Sequence, residues 1–367
     1  MSNVSTNSAK QNTSSSPKID SDPAGSPGGF PGELNGGSAK EHKLDRHSLG
    51  KLIFLVALSL ALSSFTPFFL LAPAPLAFAF LLFGVLKTVT VGLFCMGIVA
   101  ALIFQTGLSL TSAGVFLLSL AYGAIVFTII KSQVHPARGL LKYGIGLFGL
   151  ISSVVGITVW LAGISVRTYL LETVKTGINE IKNNAEYGQL VSKGGEDTRA
   201  LQDLLQDPNS IVQEVMQWSP SVLFVTVIVT LWLSLFLILR NASVWSVMRP
   251  YPFNVKTLID FKGPDWLIAI LIFGLALAAG GDYLAGEWLQ VVGINLLYAV
   301  GVFYFFQGIG VFLELLTSLK IVGLFRSIIV VFTVFSVWKI LAVVGLLDNW
   351  FDFRKFFKKN NEEGDIV

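Results

Sequence analysis

The chain alternates between long apolar runs and short polar connections from residue 52 onward. A helix needs about 20 apolar residues to cross a hydrocarbon core about 30 Å thick. Several runs are long enough, and the pattern predicts eight or nine membrane elements. They lie at residues 52–71, 76–86, 89–105, 112–130, 143–164, 221–239, 266–279, 288–316 and 328–347. We therefore expect an all-α fold, a polytopic transmembrane helical bundle.

The N-terminal runs carry two interruptions. The sequence APAP at residues 72–75 predicts a turn, because two prolines so close together prevent a continuous helix. Lys87 then separates the short run 76–86 from the run 89–105. These two runs form either a tight hairpin or a partly re-entrant element, and the sequence leaves both open.

Polar composition divides the chain into segments. Residues 1–42 are rich in Ser, Gly, Pro, Asn and Lys and poor in large apolar residues, so they bury too little surface to offset chain entropy. We expect a disordered cytoplasmic tail at 1–47, an N-terminal transmembrane bundle at 48–166, an extracytoplasmic insertion at 167–219, a C-terminal transmembrane bundle at 220–347 and a basic aromatic interfacial tail at 348–367.

The insertion contains apolar residues at helical spacing among polar ones. They are Leu170, Val174, Ile178 and Ile181, followed by Leu201, Leu204 and Leu205. The sequence DPNS at 207–210 breaks the second group. The pattern predicts two amphipathic helices lying on the membrane or over its cavity, and a flexible polar loop is the alternative.

Lys and Arg are distributed unevenly among the connections. If the N-terminus is cytoplasmic, most of these residues fall on the cytoplasmic side, whereas the short loops near 106–110 and 281–287 have none. The same assignment places the basic C-terminal tail outside, against the positive-inside rule. Either the last apolar run turns back on itself or an odd number of spans exports the tail, and we favour the first.

Composition narrows the class of protein and its partners. The chain is 53% hydrophobic and 13% charged, whereas a soluble domain is about 25% charged. The lipid bilayer is therefore an expected partner. The net charge of +3 gives no indication of nucleic acid. Cys95 is the single cysteine and lies in an apolar run, so we expect neither a disulfide within the chain nor a metal or redox cofactor.

Glycine motifs and histidines give no catalytic site. GIGLFG at 144–149 formally matches a dinucleotide-binding pattern but lies in a membrane run. Gly149, Gly156 and Gly163 recur every seven residues, which predicts close helix packing. The histidines His42, His47 and His135 lie in polar segments near membrane ends. We expect no catalytic residue, and a protein that is not an enzyme.

The most informative intramembrane stretch is YFFQGIGVFLELL at 304–316. The spacing of Gln307, Gly310 and Glu314 places an amide, a gap and a carboxylate on one helix face. Polar groups are costly in lipid, so this face should point into the bundle. The functional interpretation is that this face contacts a ligand or an ion. The structural interpretation is an interhelical hydrogen bond, or a Glu314 close enough to the cytoplasmic end to pair with Lys320 or reach water. Lys339, within the last apolar run, could likewise have either a functional or a structural role.

The tail GLLDNWFDFRKFFKK at 345–359 follows the last apolar run. A helix there would combine aromatic and basic groups at the headgroup layer. The predicted interface anchor consists of Trp350, Phe353, Arg354, Lys355, Lys358 and Lys359, with Phe357 on the same face. Asp348 and Asp352, four residues apart, could bond neighbouring basic groups or helix ends.

These last two stretches, together with DFKGPDW at 260–266, resemble the C-terminal half of the YybS-like predicted membrane proteins, a bacterial family without assigned function. The match covers about residues 48–358 and is closest at Gln307 and Gly308 and at the family motif Asp348, Trp350, Asp352 and Arg354. The resemblance implies the bacterial cytoplasmic membrane. That family is remotely similar in helical arrangement to the substrate-binding subunits of energy-coupling-factor transporters and to the cell-shape protein MreD.

Two functions remain open from the sequence. The first is a transport-related membrane subunit that binds an unidentified small molecule in an outward-opening cavity, with Gln307 and Glu314 among its contacts and an energy-coupling protein as partner. The alternative is a membrane scaffold that organises envelope or division machinery. A lined void of some hundreds of Å³ would favour binding, whereas polar groups fully satisfied by neighbouring helices would favour the scaffold.

Overall fold

The computed structural model describes residues 46–106, 111–183, 205–284 and 286–357. Most of the predicted N-terminal tail lies outside these residues, as do Leu201, Leu204, Lys358 and Lys359. The fold is that of residues 46 onward, which cluster as one compact unit.

Within the described residues the secondary structure is helical, as expected. In chain order the α-helices are α1 Arg46–Ser64, α2 Pro73–Phe83, α3 Val85–Thr106, α4 Thr111–Lys131, α5 Pro136–Ala162, α6 Val166–Asn183, α7 Pro208–Arg240, α8 Val255–Ile259, α9 Trp266–Leu284, α10 Glu287–Ser318, α11 Gly323–Ser336 and α12 Trp338–Phe351. Short 3-10 helices occupy Thr66–Leu71 and Ala242–Val244.

Four helices of the described part are long and apolar enough to cross a membrane, namely α5, α7, α10 and the segment Ser112–Lys131 of α4. The bent pair α11 and α12 adds a fifth span if it is counted as one. Shorter apolar helices lie at Ser48–Ser64, Phe68–Phe83, Val85–Ile98 and Trp266–Gly281. The described part of the chain is therefore all-α with about four to five candidate membrane spans, which implies contact with the lipid bilayer.

The N-terminal breaks differ from the predicted ones. The first run was expected to be one helix over 52–71, but α1 ends at Ser64 and a separate 3-10 helix follows. Pro73 begins α2, where a missing N–H is harmless in the first helical turn. Gly84, with φ +84°, separates α2 from α3. Lys87 lies inside α3, so the predicted break at Lys87 is wrong by a few residues.

The last apolar run is broken near its centre. The prediction was one element over 328–347, with a run that turns back on itself as the favoured alternative. The run consists of two helices, α11 and α12, which meet at Val337 with an angle of 96° between them. The N–H of Val337 still donates to the Thr333 carbonyl, while its φ of −131° turns the chain out of the helix. Neither proline nor glycine occurs at this break.

The end of the predicted insertion belongs to a long helix. The Asp207 side chain caps α7 by accepting hydrogen bonds from the N–H groups of Asn209 and Ser210, at 3.1 and 3.3 Å. DPNS therefore begins a helix that continues to Arg240. The first predicted amphipathic helix is α6, where Ile178 is buried.

Helix α7 joins the two halves of the fold. It packs against α2, α4 and α5 of the N-terminal half and against α10 of the C-terminal half. Ile228, Leu231 and Leu235 of this helix are fully buried. In the C-terminal half, α10 packs against both α9 and α12.

Different glycines from those predicted make the close contacts of α5. A methyl group built on Gly139 lies 3.0 Å from the Ile129 side chain, and Gly144 faces Ile228. Within the described residues, no heavy atom lies within 4 Å of such a methyl on Gly149, Gly156 or Gly163. Gly163 instead ends α5 with φ +62°. The predicted packing at these three positions is not present in the described part of the chain.

Candidate functional site

Helices α10 and α12 cross with their backbones in contact. A methyl group on Gly308 would overlap the Leu341 carbonyl, and one on Gly345 would overlap the Tyr304 carbonyl. Such close approach is available only to residues without a side chain. The crossing places Gln307 of α10 beside Asp348 near the end of α12.

Gln307 is completely buried, and the protein supplies partners for both ends of its amide. Its Oε1 accepts a hydrogen bond from the Gly263 N–H at 3.1 Å. Its Nε2 donates to Asp348 Oδ2 at 3.2 Å and to Asn349 Oδ1 at 2.9 Å. The Gln307 amide therefore joins α10, α12 and the segment before α9.

Arg354 completes this cluster, which we call the Arg354 junction and which comprises Gln307, Asp348, Asn349, Arg354 and Asp260. Its Nη2 donates to the Phe261 carbonyl at 3.0 Å and to the Gln307 carbonyl at 2.8 Å. Its Nε lies 3.4 Å from Asp348 Oδ2, and its Nη1 lies 3.8 Å from Asp260 Oδ1. The side chain is 11% exposed, so the guanidinium acts as an internal connector.

Gly310 and Glu314, predicted to share a face with Gln307, have different surroundings. A methyl on Gly310 would lie 2.7 Å from Arg354 Nη2, so glycine leaves room for the guanidinium. Glu314 is partly exposed. The salt bridges found among the described residues do not include the predicted pair Glu314 and Lys320.

The predicted interface anchor separates into inward and outward groups. α12 ends at Phe351, and Asp352 turns the chain with φ +47°, so the continuous helix expected for Trp350, Phe353 and Phe357 does not form. Trp350 is exposed. Lys355 is 84% exposed and pairs with Asp352 at 2.6 Å. The hydrogen bond from Lys355 holds the pKa of the Asp352 carboxyl below its usual value.

A groove of about 680 Å³ lies between α7, α10 and α12. Its walls are mainly apolar, and Lys339 is the one charged residue among its lining side chains in the described part of the chain. Gln307, Gly310 and Glu314 do not line it. The Arg354 junction and the groove are therefore separate features of the same helices.

Three aromatic residues from three helices border this groove. The ring of Trp218 on α7 lies 5.1 Å from that of Tyr298 on α10, edge to face. Tyr298 in turn lies 6.2 Å from Trp338 on α12. The Lys339 ammonium lies 5.5 Å from the centre of the Trp338 ring.

A break in the hydrogen bonds of α7 lies next to Trp218 and Ser221, which line the groove. Pro220 interrupts the helix, and the Ser219 hydroxyl donates to the Met216 carbonyl at 3.1 Å. Asn295 of α10 accepts from the Ser221 N–H at 2.9 Å and donates to the Gln217 carbonyl at 2.8 Å. One amide side chain thus satisfies backbone groups on both sides of the proline.

The sequence analysis singled out Gln307, Asp348 and Arg354 but did not predict that they contact one another. It singled out Lys339 but did not predict the groove that Lys339 lines. It did not single out Trp218, Asn295, Tyr298 or Trp338. Pro220 was the one local signal for Asn295, because a proline inside a membrane run leaves backbone groups that a neighbouring helix must satisfy.

Comparison with known proteins gives one family. Residues 51–349 match the sequence profile of a family described as a predicted membrane protein (DUF2232). No curated protein matches the chain, and no solved structure does. The matched range contains the groove, the glycine crossing and most of the Arg354 junction.

Proposed function

The chain belongs to the DUF2232 family of predicted membrane proteins, and from that premise we propose that it is a transport-related membrane subunit that binds a small molecule. The binding site in this proposal is the groove between α7, α10 and α12. Catalysis is not part of it, because the sequence has none of the common catalytic motifs.

The groove is the observation that carries the proposal. Its volume of about 680 Å³ lies within the range of about 300–1,000 Å³ that is usual for ligand pockets. Ligand pockets are mostly apolar and contain a few polar groups that orient the ligand. Tyr298 and Lys339 are such groups here. Gln307, whose amide is occupied by protein partners, is assigned to the junction and not to the ligand.

The resemblance to YybS-like proteins, and through them to energy-coupling-factor substrate-binding subunits, supports the transport role. The sequence contains no P-loop, so ATP-driven transport would require a separate energy-coupling partner. In this proposal the chain captures the ligand and the partner supplies the energy.

A mass-spectrometric experiment tests the binding function. The protein would be purified in mild detergent, denatured, and its organic extract compared with that of Gly301→Phe. Gly301 lines the groove, and a methyl built there has no atom within 4 Å, so a phenyl ring should fill the groove while the fold is retained. We expect a compound in near-stoichiometric amount from the unchanged protein and its loss from the variant.

The same experiment needs a control for the added aromatic ring. Gly149→Phe, on the exposed face of α5, should retain the compound. Extracts without any enriched compound, or equal amounts from all three proteins, would contradict binding in the groove.

A membrane scaffold is the second candidate, and the Arg354 junction favours it. The junction ties α10, α12 and the Asp260 segment into one unit through contacts among side chains and backbone carbonyls, with Asp348 Oδ1 and Arg354 Nε the two buried atoms of the described junction that have no hydrogen-bond partner. A scaffold needs such rigidity but no ligand. Enrichment of envelope or division proteins together with a ligand-free extract would favour this function over the first.

We also propose a bacterial cytoplasmic membrane location with eight or nine membrane elements and a cytoplasmic N-terminus. Contacts of Arg354 with Phe261 and Asp260 place the segment after α12 beside the segment before α9. Lys256 and Lys262 flank this second segment, which the positive-inside rule assigns to the cytoplasm. The bend at Val337 would let the last apolar run turn back to the same side.

Cysteine labelling tests this topology. In a Cys95→Ser background, Lys355→Cys and Lys262→Cys should react with a membrane-impermeant maleimide only after intact cells are permeabilised. Lys175→Cys in α6, an exposed position of the proposed extracytoplasmic insertion, should react without permeabilisation. Reaction of Lys355→Cys in intact cells while Lys262→Cys stays protected would put the two segments on opposite sides and disprove the arrangement.

A further inference from the structure

Lys339 is a charged group in an apolar groove. Among the described residues, no Asp or Glu lies within the 4.0 Å of a salt bridge from its ammonium. An ionisable group within an apolar membrane run is costly unless it has a partner or reaches water. Lys339 is exposed at the wall of the groove, so its positive charge is free to pair with an anion that enters there.

The start of α12 also favours a negatively charged ligand. Lys339 lies in the first turn of this helix, and no side chain caps the helix at Val337. The positive end of the helix dipole and the free N–H groups of a first turn attract anions. Trp338 and Lys339 of this first turn line the groove, so the α12 wall is the positively charged part of its lining.

The rest of the groove is suited to an apolar chain. Val222, Val225 and Val229 form its α7 wall, and Leu297 and Phe305 form its α10 wall. Since the groove is open and two of its walls, α7 and α10, are candidate membrane spans, an amphiphile could enter from the bilayer.

We propose that the groove binds an amphiphile with an apolar chain against α7 and α10 and an anionic headgroup at Lys339. This inference rests on the proposed binding function and specifies its ligand class. The Tyr298 hydroxyl supplies a further donor at the groove.

A cationic ligand is the main chemical alternative. The aromatic rings of Trp218, Tyr298 and Trp338 would suit a quaternary ammonium group, which binds over aromatic faces. The Lys339 ammonium lies against the same Trp338 ring and would repel that group. We therefore expect preference for an anionic over a choline headgroup.

Fluorescence quenching tests this preference. The full chain in phosphatidylcholine nanodiscs would be titrated with dibromostearoyl lysophosphatidate, dibromostearoyl lysophosphatidylcholine and dibromostearate. Bromine quenches tryptophan at contact, and Trp218 and Trp338 line the groove. Charge-assisted hydrogen bonds predict that at least one anionic probe binds about tenfold or more tightly than the choline probe. The stronger anionic probe identifies the headgroup as phosphate or carboxylate.

Matched lysine variants separate the groove from general surface charge. Lys339→Gln should remove the preference for the anionic probes. Lys355→Gln changes an exposed lysine outside the groove and should leave it unchanged. Equal affinity of the unchanged protein for anionic and choline probes would overturn the inference, as would a preference that survives in Lys339→Gln.

A groove-filling variant separates this inference from the proposed function. Gly301→Phe should abolish saturable quenching, and Ala342→Phe serves as a second filling variant if the first does not fold. Saturable quenching that persists in a folded filling variant would contradict the binding function itself, whereas exposed tryptophans outside the groove, such as Trp288, should give only unsaturable quenching. Loss of quenching in that variant, combined with an unchanged anion preference in Lys339→Gln, would overturn only the anionic headgroup.

Discussion

Replacing Arg354 by methionine should lower the stability of the folded protein by about 3–5 kcal/mol, which is the usual cost of removing one partner from a buried ion pair. Asp348, only 2% exposed, would lose its cationic neighbour, and the carbonyls of Phe261 and Gln307 would lose a donor. The melting temperature and the monodisperse fraction of detergent-purified protein measure this effect. Arg354→Lys should also be destabilising, because an ammonium cannot reproduce the guanidinium geometry.

The neighbouring residue provides a matched control. Lys355 pairs with Asp352 at the exposed surface, where ion pairs contribute little, so Lys355→Met should leave the melting temperature nearly unchanged. Arg354→Met combined with Asp348→Leu should recover much of the loss, because the buried carboxylate is removed as well. Equal melting temperatures for Arg354→Met and Lys355→Met would show that the Arg354 junction does not hold the helices together.

The contrast between Arg354 and Lys355 shows where sequence reasoning stopped. Both residues follow an apolar run among aromatic residues, and the pattern predicted one basic anchor for both. Their environments differ because Asp352 adopts φ +47° and redirects the chain, which lets Arg354 reach Asp260 and the Gln307 carbonyl. These partners lie far away in the sequence, so local spacing does not reveal them.

Helix breaks were predictable to different degrees. The prolines near residue 73 correctly indicated a boundary, because proline removes a donor and is tolerated mainly in a first turn. The break at Val337 has no such residue, and Lys339, two residues beyond it, is a charge in the run and not a helix breaker. Apolar composition predicts that a segment is buried in lipid or protein but leaves its direction to tertiary packing.

The groove could not be derived from the sequence for a related reason. Its lining comes from α7, α10 and α12, and the aromatic residues that border it are separated by many residues along the chain. Lys339 was recognisable because a charge in an apolar run stands out. Uncharged lining residues look like any others that face lipid or the bundle interior.

Glycine periodicity also misdirected the packing prediction, since a sevenfold spacing indicates a shared helix face but not a neighbour for it. In the described part of the chain, no heavy atom of another helix lies within 4 Å of a methyl group built on Gly149 or Gly156. Gly308 and Gly345 belong to no such repeat, yet they allow two backbones to touch. Contact at a glycine depends on where two helices cross, which follows from the whole fold.

Gly308→Ala and Gly345→Ala should therefore each destabilise the pair α10 and α12 strongly. The new methyl would overlap a backbone carbonyl, of Leu341 in the first case and of Tyr304 in the second. A backbone group cannot rotate away as a side chain does, so the loss of folding stability should reach or exceed the upper end of the about 1–3 kcal/mol typical of overpacking.

Gly301→Ala on the same α10 helix is the control, because no atom of the described residues lies within 4 Å of its added methyl. We expect it to melt at or slightly above the temperature of the unchanged protein, as alanine favours helix. If Gly308→Ala and Gly301→Ala melted at the same temperature in detergent, the close crossing of α10 and α12 would be wrong, and with it the position of Gln307 beside Asp348.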